Sequence, residues 1–329
     1  MYAPIRTAAV AAAFVLFAPT AGAQSADTEK ILEELGFPAD TLAQVRAGKM
    51  VQTGLESSEE REIAAGLAFL VKEAPKELAK ELREGLLISI DANSQAHGAL
   101  SGDGTLAQLA ALKIGDLGDT YRNAKPGGDL NLSPAEIQAF QALKGKPASA
   151  FEEQLKKSLL ERYQAYRRSG LDGIAPYDRG GKERSGGGDL RSASQAVSVV
   201  KEHAPAFYDT LLHYPKTPAT GFSETFNWQR YKAHGDPVFI LTHGFLVEHP
   251  NGAVAACQRQ FYVSGGYNVE QAVAGFLPVP EGTLVVYTNR TSTDQVAGFG
   301  GGAKRSMGEK LMASQLEDLF TKLQKAAVQ

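Results

Sequence analysis

The chain has 329 residues, of which 43% are hydrophobic and 22% are charged, and its formal net charge is −3. This composition is typical of a globular protein with one large or two small domains. Because neither sign of charge dominates, it argues against nucleic-acid binding and against a polybasic membrane surface. The single cysteine, Cys257, excludes an internal disulfide, and the alternating apolar pattern around it predicts a buried, inert thiol.

The N-terminus has the pattern of a secretory signal peptide covering residues 1–23. Arg6 precedes an apolar run over residues 8–18, and Ala21-Gly22-Ala23 has the small-x-small form that signal peptidase accepts. The alternative is an uncleaved anchor, but the run is short for about 30 Å of hydrocarbon, and no later stretch is long enough to span a bilayer. We therefore expect a periplasmic or secreted protein that begins at Gln24.

The next part of the chain predicts helices and then a strand pair. Residues 24–47 form an N-terminal helical segment. Met50–Leu55 and Ile63–Val71 read as two strands, and Pro75 opens a helix that continues to Glu84, at a position where proline's missing N–H costs nothing.

A mostly helical insertion is predicted over about residues 100–215. Ser133, Pro134 and Glu136 match an N-cap, a first-turn proline and a capping box. A long amphipathic helix then ends at Gly170. Its apolar stripe consists of Phe151, Leu155, Leu159 and Tyr163.

Beyond this helix the pattern predicts a glycine-rich and charged loop, followed by more helix. Residues 171–189 form the predicted loop, and residues 190–214 return to helix with an interruption at Pro205.

From Phe222 onward the apolar pattern changes to a period of two. The predicted strands are Phe222–Ala233, Val238–Glu248, Ala253–Ser264 and Thr283–Thr288. Glycine- and proline-containing turns between them indicate consecutive antiparallel hairpins.

A final helix over residues 303–327 completes the predicted elements. Its predicted buried side consists of Met307, Leu311, Leu316, Leu319 and Leu323. Strand runs beside helical runs favour an α+β fold over residues 48–329. The expected arrangement is a curved antiparallel sheet around a long C-terminal helix, a helix-grip or START-like fold.

Several segments also carry a family resemblance. They are "YRRSGLDGIAPYDR", "FNWQRY", "VFILTHGFLV", "CQRQFYVSGGY" and "VVYTNRTSTDQVAGFGG". Together they resemble an exported family of Gram-negative bacteria whose members have no assigned activity. The resemblance covers the chain from about residue 48, implies one integrated domain with a START-like sheet, and brings no catalytic residues. The pair Gly265-Gly266 departs from the bulkier pair expected before Tyr267.

The glycine run at residues 298–302 does not match a nucleotide-binding motif. No second parallel strand can follow it, and Lys304 is followed by Arg305 instead of the Ser or Thr of a phosphate-binding loop. The glycines are better explained as a turn or a movable flap before the last helix. Just upstream, Arg290 and Asp294 are expected to form an ion pair, and the alternative is that Arg290 binds a ligand carboxylate or phosphate.

No metal, cofactor or nucleophile site is predicted. The six histidines lack metal-ligand spacing, and Ser264 lies in no strand–turn–helix elbow. His243, within an apolar strand, is expected to be a core or pocket-wall residue, with a role as a general base or ligand contact as the alternative.

The aromatic strands suggest either a packed core or a ligand cavity with a few orienting hydrogen bonds. The candidate ligand-binding residues are Trp228, His243, Tyr262, Tyr267, Tyr287 and Arg290. We expect a protein that binds a hydrophobic or lipid-like molecule between its sheet and its last helix. The alternatives are an enzyme that uses His243, Tyr262 or Arg290 on an apolar substrate, and a non-catalytic envelope scaffold with a protein partner at residues 100–215.

Overall fold

The computed structural model describes residues 21–218, 220–233, 235–298 and 300–326, with the backbone alone for 21–26 and 326. Most of the predicted signal peptide, residues 1–20, lies outside these ranges. The protein has an α+β architecture built on one large antiparallel sheet of eight strands. Within the described residues, no helix combines the length and the apolar character needed to cross a membrane.

The first third of the chain contributes four helices and three strands. In chain order they are α1 (Ala21–Glu34), α2 (Thr41–Arg46), β1 (Val51–Gly54), β2 (Glu62–Val71), α3 (Pro75–Arg83), α4 (Leu86–Ile90) and β3 (Ser94–Leu100). The predicted strand pair and the helix that begins at Pro75 are present. The sequence did not predict α4 and β3.

Helices dominate the segment between β3 and the next long strand. Its elements are α5 (Gly118–Arg122), α6 (Pro134–Gln141), α7 (Ala148–Ser169), β4 (Tyr177–Asp178), β5 (Glu183–Arg184), α8 (Gly186–Gln195), α9 (Ser198–His203) and α10 (Pro205–His213). The capping box is confirmed, because the Ser133 side chain accepts from Glu136 N and the Glu136 side chain accepts from Ser133 N. The predicted end of the loop at residue 189 was wrong, because α8 already begins at Gly186 with Ser185 as its N-cap.

The last third forms the main meander and the terminal helix. Its elements are β6 (Phe222–Ala233), β7 (Asp236–Glu248), β8 (Val254–Val263), β9 (Val269–Val279), β10 (Gly282–Ser292) and α11 (Gly301–Ala326). The predicted strands are present, β10 extends four residues beyond its predicted end, and β9 was not predicted. Every neighbouring pair in the sheet is antiparallel, and the strand order is β1-β2-β10-β9-β8-β7-β6-β3.

Each face of the sheet is covered by a different set of helices. We call the side that carries Phe69, Phe276 and Val285 the α11 face, since α11 packs there together with α3 and α4. We call the opposite side, which carries Leu241 and Phe245, the insertion face. Residues from α7 to α10 pack on it, and α1 and α2 cover its β2–β10 edge.

The buried side of α11 differs from the predicted stripe. Leu316 and Leu323 are buried as expected, whereas Met307 and Leu311 are 74% and 47% exposed. Met312 and Phe320 take their place, at helical spacings of four and three residues along the stripe. Phe320 packs against Phe69 with ring centroids 4.7 Å apart, and burial of such a ring stabilises the fold by about 1.5–3 kcal/mol.

Candidate functional site

A cavity of about 130 Å³ lies between the α11 face of the sheet and the helices that cover it. Leu78 and Leu82 of α3, Leu87 of α4, and Phe320 and Leu323 of α11 form its helical walls. Its floor is formed by the sheet residues Thr225, Asn227, Thr242, Leu246, Ala256, Gln258, Ala272, Ala274, Phe276, Val285 and Tyr287. The cavity lies where the sequence placed a ligand, between the sheet and the last helix.

Two polar atoms at this floor have no hydrogen-bond partner among the described residues. They are Asn227 Oδ1 and Thr242 Oγ1, and both are buried. The two residues lie directly opposite each other in the β6–β7 register, so their side chains occupy the same part of the floor. Sequence reasoning missed both. The signal that could have indicated Asn227 is a polar residue at every second position of β6, namely Ser223, Thr225 and Asn227.

Arg83 is the one charged side chain among the residues that line this cavity. It is exposed, and its Nη1 donates to Ser223 Oγ at 3.2 Å. The cavity therefore has an uncharged interior and a single positive charge at its rim.

Tyr287 connects the cavity to a chain of polar side chains along the same face. Its ring lies edge-on to Phe320, with centroids 4.7 Å apart, and its hydroxyl accepts from Asn289 Nδ2 at 3.2 Å. The chain continues through Thr291 Oγ1, which lies 3.0 Å from Asn289 Oδ1 and 2.9 Å from Glu270 Oε2.

Glu270 joins this chain to Tyr267. Gln260 Nε2 donates to Glu270 Oε1 at 3.1 Å, and the Tyr267 hydroxyl donates to Gln260 Oε1. Burial raises the pKa of the Glu270 carboxyl. Of the six predicted site residues, the structure thus brings Tyr267 and Tyr287 into one network on the α11 face, and Tyr287 alone lines the cavity.

His243 lies on the insertion face instead, with 0% of its surface exposed. Its Nδ1 is 3.0 Å from the Tyr166 hydroxyl, and its Nε2 is 3.1 Å from Glu224 Oε2. Arg259 Nη1 donates to the Tyr166 hydroxyl at 3.1 Å, so that hydroxyl has its own proton left for His243 Nδ1. The imidazole therefore carries its proton on Nε2 and donates it to Glu224.

Electrostatics at this network keep the imidazole neutral. Burial lowers the pKa of His243 to about 4, although the Glu224 carboxylate opposes this shift. The pKa of Glu224 is itself lowered: burial opposes the shift, but hydrogen bonds with His243 and Tyr214 and the positive charge of Arg167 outweigh it. The network matches the predicted core role of His243, and both ring nitrogens are occupied.

Trp228 and Tyr262 also belong to the insertion-face core. Trp228 Nε1 donates to the backbone carbonyl of Gln108 at 2.9 Å. The Arg162 guanidinium lies 4.2 Å from the centroid of the Tyr262 ring. These contacts join the helices to the sheet, and neither residue lines the cavity on the α11 face.

Arg290 forms a different ion pair from the predicted one. Its Nη1 lies 2.5 Å from Glu62 Oε1 and donates to the backbone carbonyl of Glu56 at 3.0 Å. Asp294 pairs with Arg61 and Arg179, at 3.0 Å and 2.9 Å. Strand β10 ends at Ser292, so the chain turns between the two predicted partners and separates them.

The remaining residues that the sequence singled out are Ser264, Cys257 and the glycine run, and their contacts are those of buried or turn residues. Ser264 Oγ accepts from Phe239 N at 2.9 Å and is buried. Burial raises the pKa of Cys257 to about 12, so its thiol is protonated at neutral pH. Gly298 and Gly300 have φ values of 75° and 76°, a left-handed conformation that agrees with the predicted turn before α11.

One group of side chains in the described part of the chain has the spacing of metal ligands. It consists of Glu34, Glu202 and His203, all near the surface. Lys30 Nζ lies 3.4 Å from Glu34 and 2.7 Å from Glu202, so an ammonium group already balances these carboxylates.

Comparison of the chain with protein-family models, with curated proteins and with solved structures found no match. The geometry of its sites therefore carries the functional argument.

Proposed function

We propose that this protein binds a small, mainly apolar molecule with one hydrogen-bonding group, in the cavity between the α11 face and α11. The observation that carries the proposal is the pair of buried atoms Asn227 Oδ1 and Thr242 Oγ1, which have no partner among the described residues. A buried polar atom without a partner costs about 1–3 kcal/mol, and folded proteins keep few of them. A ligand hydroxyl can donate to Asn227 Oδ1 and accept from Thr242 Oγ1, and so satisfy both atoms, whereas an N–H group would satisfy only one of them.

The lining supports an apolar body for this ligand. Leucine, phenylalanine and alanine side chains form most of the wall, and the polar groups are confined to the floor. This distribution is typical of small-molecule sites, in which apolar walls supply affinity and a few polar groups fix orientation. The exposed Arg83 at the rim admits an uncharged molecule or one with a negative group near the opening.

The volume of the cavity narrows the expected ligand. A buried cavity of about 150 Å³ can hold one benzene molecule, and this cavity measures about 130 Å³. A single ring or a short branched chain therefore fits better than the lipid-like molecule that the sequence suggested.

The proposal includes a START-like, helix-grip arrangement and export to the periplasm. The element order supports the former: strand β2 and helices α3 and α4 precede the meander, and the long helix α11 follows it. The signal-like residues 1–23 and the family resemblance support the latter. Intact mass of protein from the periplasmic fraction tests export, with a mature N-terminus at Gln24 expected and an unprocessed cytoplasmic chain as the contrary result.

Binding is favoured over catalysis and over a scaffold role. His243 and Tyr262, two of the predicted catalytic groups, do not line this cavity, and both nitrogens of His243 are occupied. For a scaffold, the described part of the helical insertion exposes one large apolar side chain, Leu106, which is too little for an apolar docking face.

Two adjacent alanines on β8 provide the test. Ala256 lines this cavity, while Ala255 points to the opposite face. Phenol and benzene are titrated into the purified protein while the methyl resonances of Leu246 and Leu323 are followed by NMR. We expect saturable shifts with both compounds and tighter binding of phenol than of benzene. The shifts and the preference for phenol should be lost in Ala256→Leu and kept in Ala255→Leu. Absence of shifts in the wild-type protein, or equal shifts in both variants, would contradict the proposal.

A further inference from the structure

A second cavity, of about 210 Å³, lies on the insertion face of the sheet. Ile31 of α1 and Leu35, directly after the end of that helix, cover it, and α9 and α10 contribute Val200 and Phe207. Ala255 of β8 and Val273 of β9 form part of its floor. Because neighbouring strand residues point to opposite faces, this cavity and the one under α11 are separated by the sheet.

One buried polar atom in this cavity has no partner in the described part of the chain. It is Nε2 of His249, in the turn between β7 and β8. The turn holds the residue in place, because His249 N donates to Ala253 O at 2.9 Å. Burial lowers the pKa of this imidazole, so it is neutral at pH 7 and can either donate or accept one hydrogen bond. The other ionisable residues of the lining, Asp27 and His203, are exposed at the rim.

The cavity borders a more polar pocket. An adjoining pocket of about 420 Å³ shares Leu35, Val197, Val199 and Thr288 with it, and adds polar residues such as Ser57 and Ser58. Beside this pocket, α1 is joined to α9 by the ion pair Lys30–Glu202 and by the contact between Glu34 and His203 Nε2. Exposed contacts of this kind are screened by water and contribute little to stability, so they do not lock the helix in place.

We infer that the space beneath α1 is a second small-molecule site, which takes an uncharged molecule of two fused rings whose hydroxyl or N–H group pairs with His249 Nε2. The size follows from the volume, which exceeds the roughly 150 Å³ that suffices for benzene. The uncharged character follows from the lining, since a charge placed among Ile31, Val200, Phe207 and Val273 would lose its hydration without a counter-charge. The single polar group follows from the one unpartnered imidazole nitrogen.

The probe for this site is 2-naphthol, whose hydroxyl can pair with either tautomer of His249, and its own fluorescence reports binding. Naphthalene has the same rings without the hydroxyl. We expect the wild-type protein to bind 2-naphthol about tenfold more tightly than naphthalene, a preference typical of one satisfied hydrogen bond. In His249→Leu this preference should disappear, while naphthalene still binds.

The paired alanine variants separate the two sites. Ala255→Leu should abolish 2-naphthol binding and Ala256→Leu should preserve it, the reverse of the pattern expected for phenol under α11. Val200→Phe fills the second cavity from the helix side, and it replaces Ala255→Leu if that variant melts at a lower temperature. Equal 2-naphthol affinity in wild type and in a folded cavity-filled variant, or an unchanged preference in His249→Leu, would overturn the inference whatever happens at the first site.

Discussion

The Nδ1 atom of His243 lies 3.0 Å from the hydroxyl oxygen of Tyr166, and the two residues are 77 positions apart in the chain. This contact joins strand β7 of the sheet to α7, the longest helix of the insertion. Arg259 donates to the same hydroxyl and to the Leu211 carbonyl, at 3.1 Å and 2.7 Å. The helical insertion is thus held on the sheet by directed hydrogen bonds as well as by apolar packing. Removing one group of this network leaves its buried partners without a hydrogen bond.

Tyr166→Phe should destabilise the protein by about 1–3 kcal/mol, because it leaves His243 Nδ1 and Arg259 Nη1 buried without a partner. Urea unfolding monitored by circular dichroism measures the change. Tyr208→Phe on α10 is the matched control, since Tyr208 is half-buried and has no described hydroxyl contact. Equal losses in the two variants would show that the hydroxyl of Tyr166 has no special role.

Stability should fall as the pH is lowered from about 6.5 to about 4. In this window the unfolded chain protonates His243, whose ordinary pKa is 6.5, while the folded protein does not, because burial lowers the pKa to about 4. The lost free energy of unfolding is about 3 kcal/mol. The lowered pKa of Glu224 acts in the same direction. The nearby Arg259 and Arg167 also disfavour a positive charge on His243.

Urea unfolding at about pH 7 and about pH 4.5 measures this dependence. His243→Gln removes the titrating group and should reduce the difference between the two conditions. An unchanged difference in that variant would assign the acid sensitivity to other groups.

Glu136→Gln should cost about 3–5 kcal/mol, since it removes one partner of a buried ion pair. Glu136 accepts from Arg162 Nε at 2.6 Å and from Nη2 at 2.5 Å, and the same carboxylate closes the capping box with Ser133. Glu153→Gln breaks an exposed pair with Lys157, which water screens, and should change the unfolding free energy little. The two unfolding free energies, measured side by side, decide whether burial of the pair matters.

The sequence predicted best where one local pattern determines one local structure. Ser133, Pro134 and Glu136 define a helix start without any information from the rest of the chain, and the prediction was confirmed. Strand β9 was missed for the opposite reason. Helices cover both of its faces, so Val269–Val279 shows no alternation of apolar and polar residues, and Pro278 within it argues against a strand.

The candidate site was harder to predict, because its key atoms come together only through the register of two strands. Asn227 and Thr242 are ordinary polar residues in the sequence, and their pairing across β6 and β7 becomes meaningful only beneath a helical cover. Aromatic residues attracted the prediction instead. Trp228 and Tyr262 turned out to pack against the insertion, since large rings serve a core as readily as a cavity.

Gly170→Ala should prevent stable folding. Gly170 ends α7 with φ at 57°, and a Cβ atom there would lie 1.8 Å from the carbonyl oxygen of Tyr214. Gly145→Ala is the matched control, because Gly145 also has a positive φ of 84°, but a Cβ atom there would meet no described atom within 4 Å. We expect the control to cost about 1 kcal/mol, the strain of the left-handed backbone alone. Similar melting temperatures for the two variants would show that the contact with Tyr214 can relax.

Thr242→Val should have opposite effects on stability and on binding. The variant keeps the shape of the side chain but removes Oγ1, which is buried at the cavity floor without a described partner. Without ligand, we expect the protein to gain about 1 kcal/mol, because an unsatisfied hydroxyl no longer has to be buried. Phenol affinity should fall by about tenfold for the loss of one hydrogen bond, while benzene affinity should stay unchanged. Thermal unfolding and NMR titration of the same samples give both quantities.

Thr288→Val is the control variant, because the Thr288 hydroxyl donates to the Val273 carbonyl at 3.3 Å. It should lose stability and leave phenol binding intact. A loss of stability in Thr242→Val as well would mean that its hydroxyl already has a partner within the folded protein, and the cavity floor would then have one fewer group to offer a ligand.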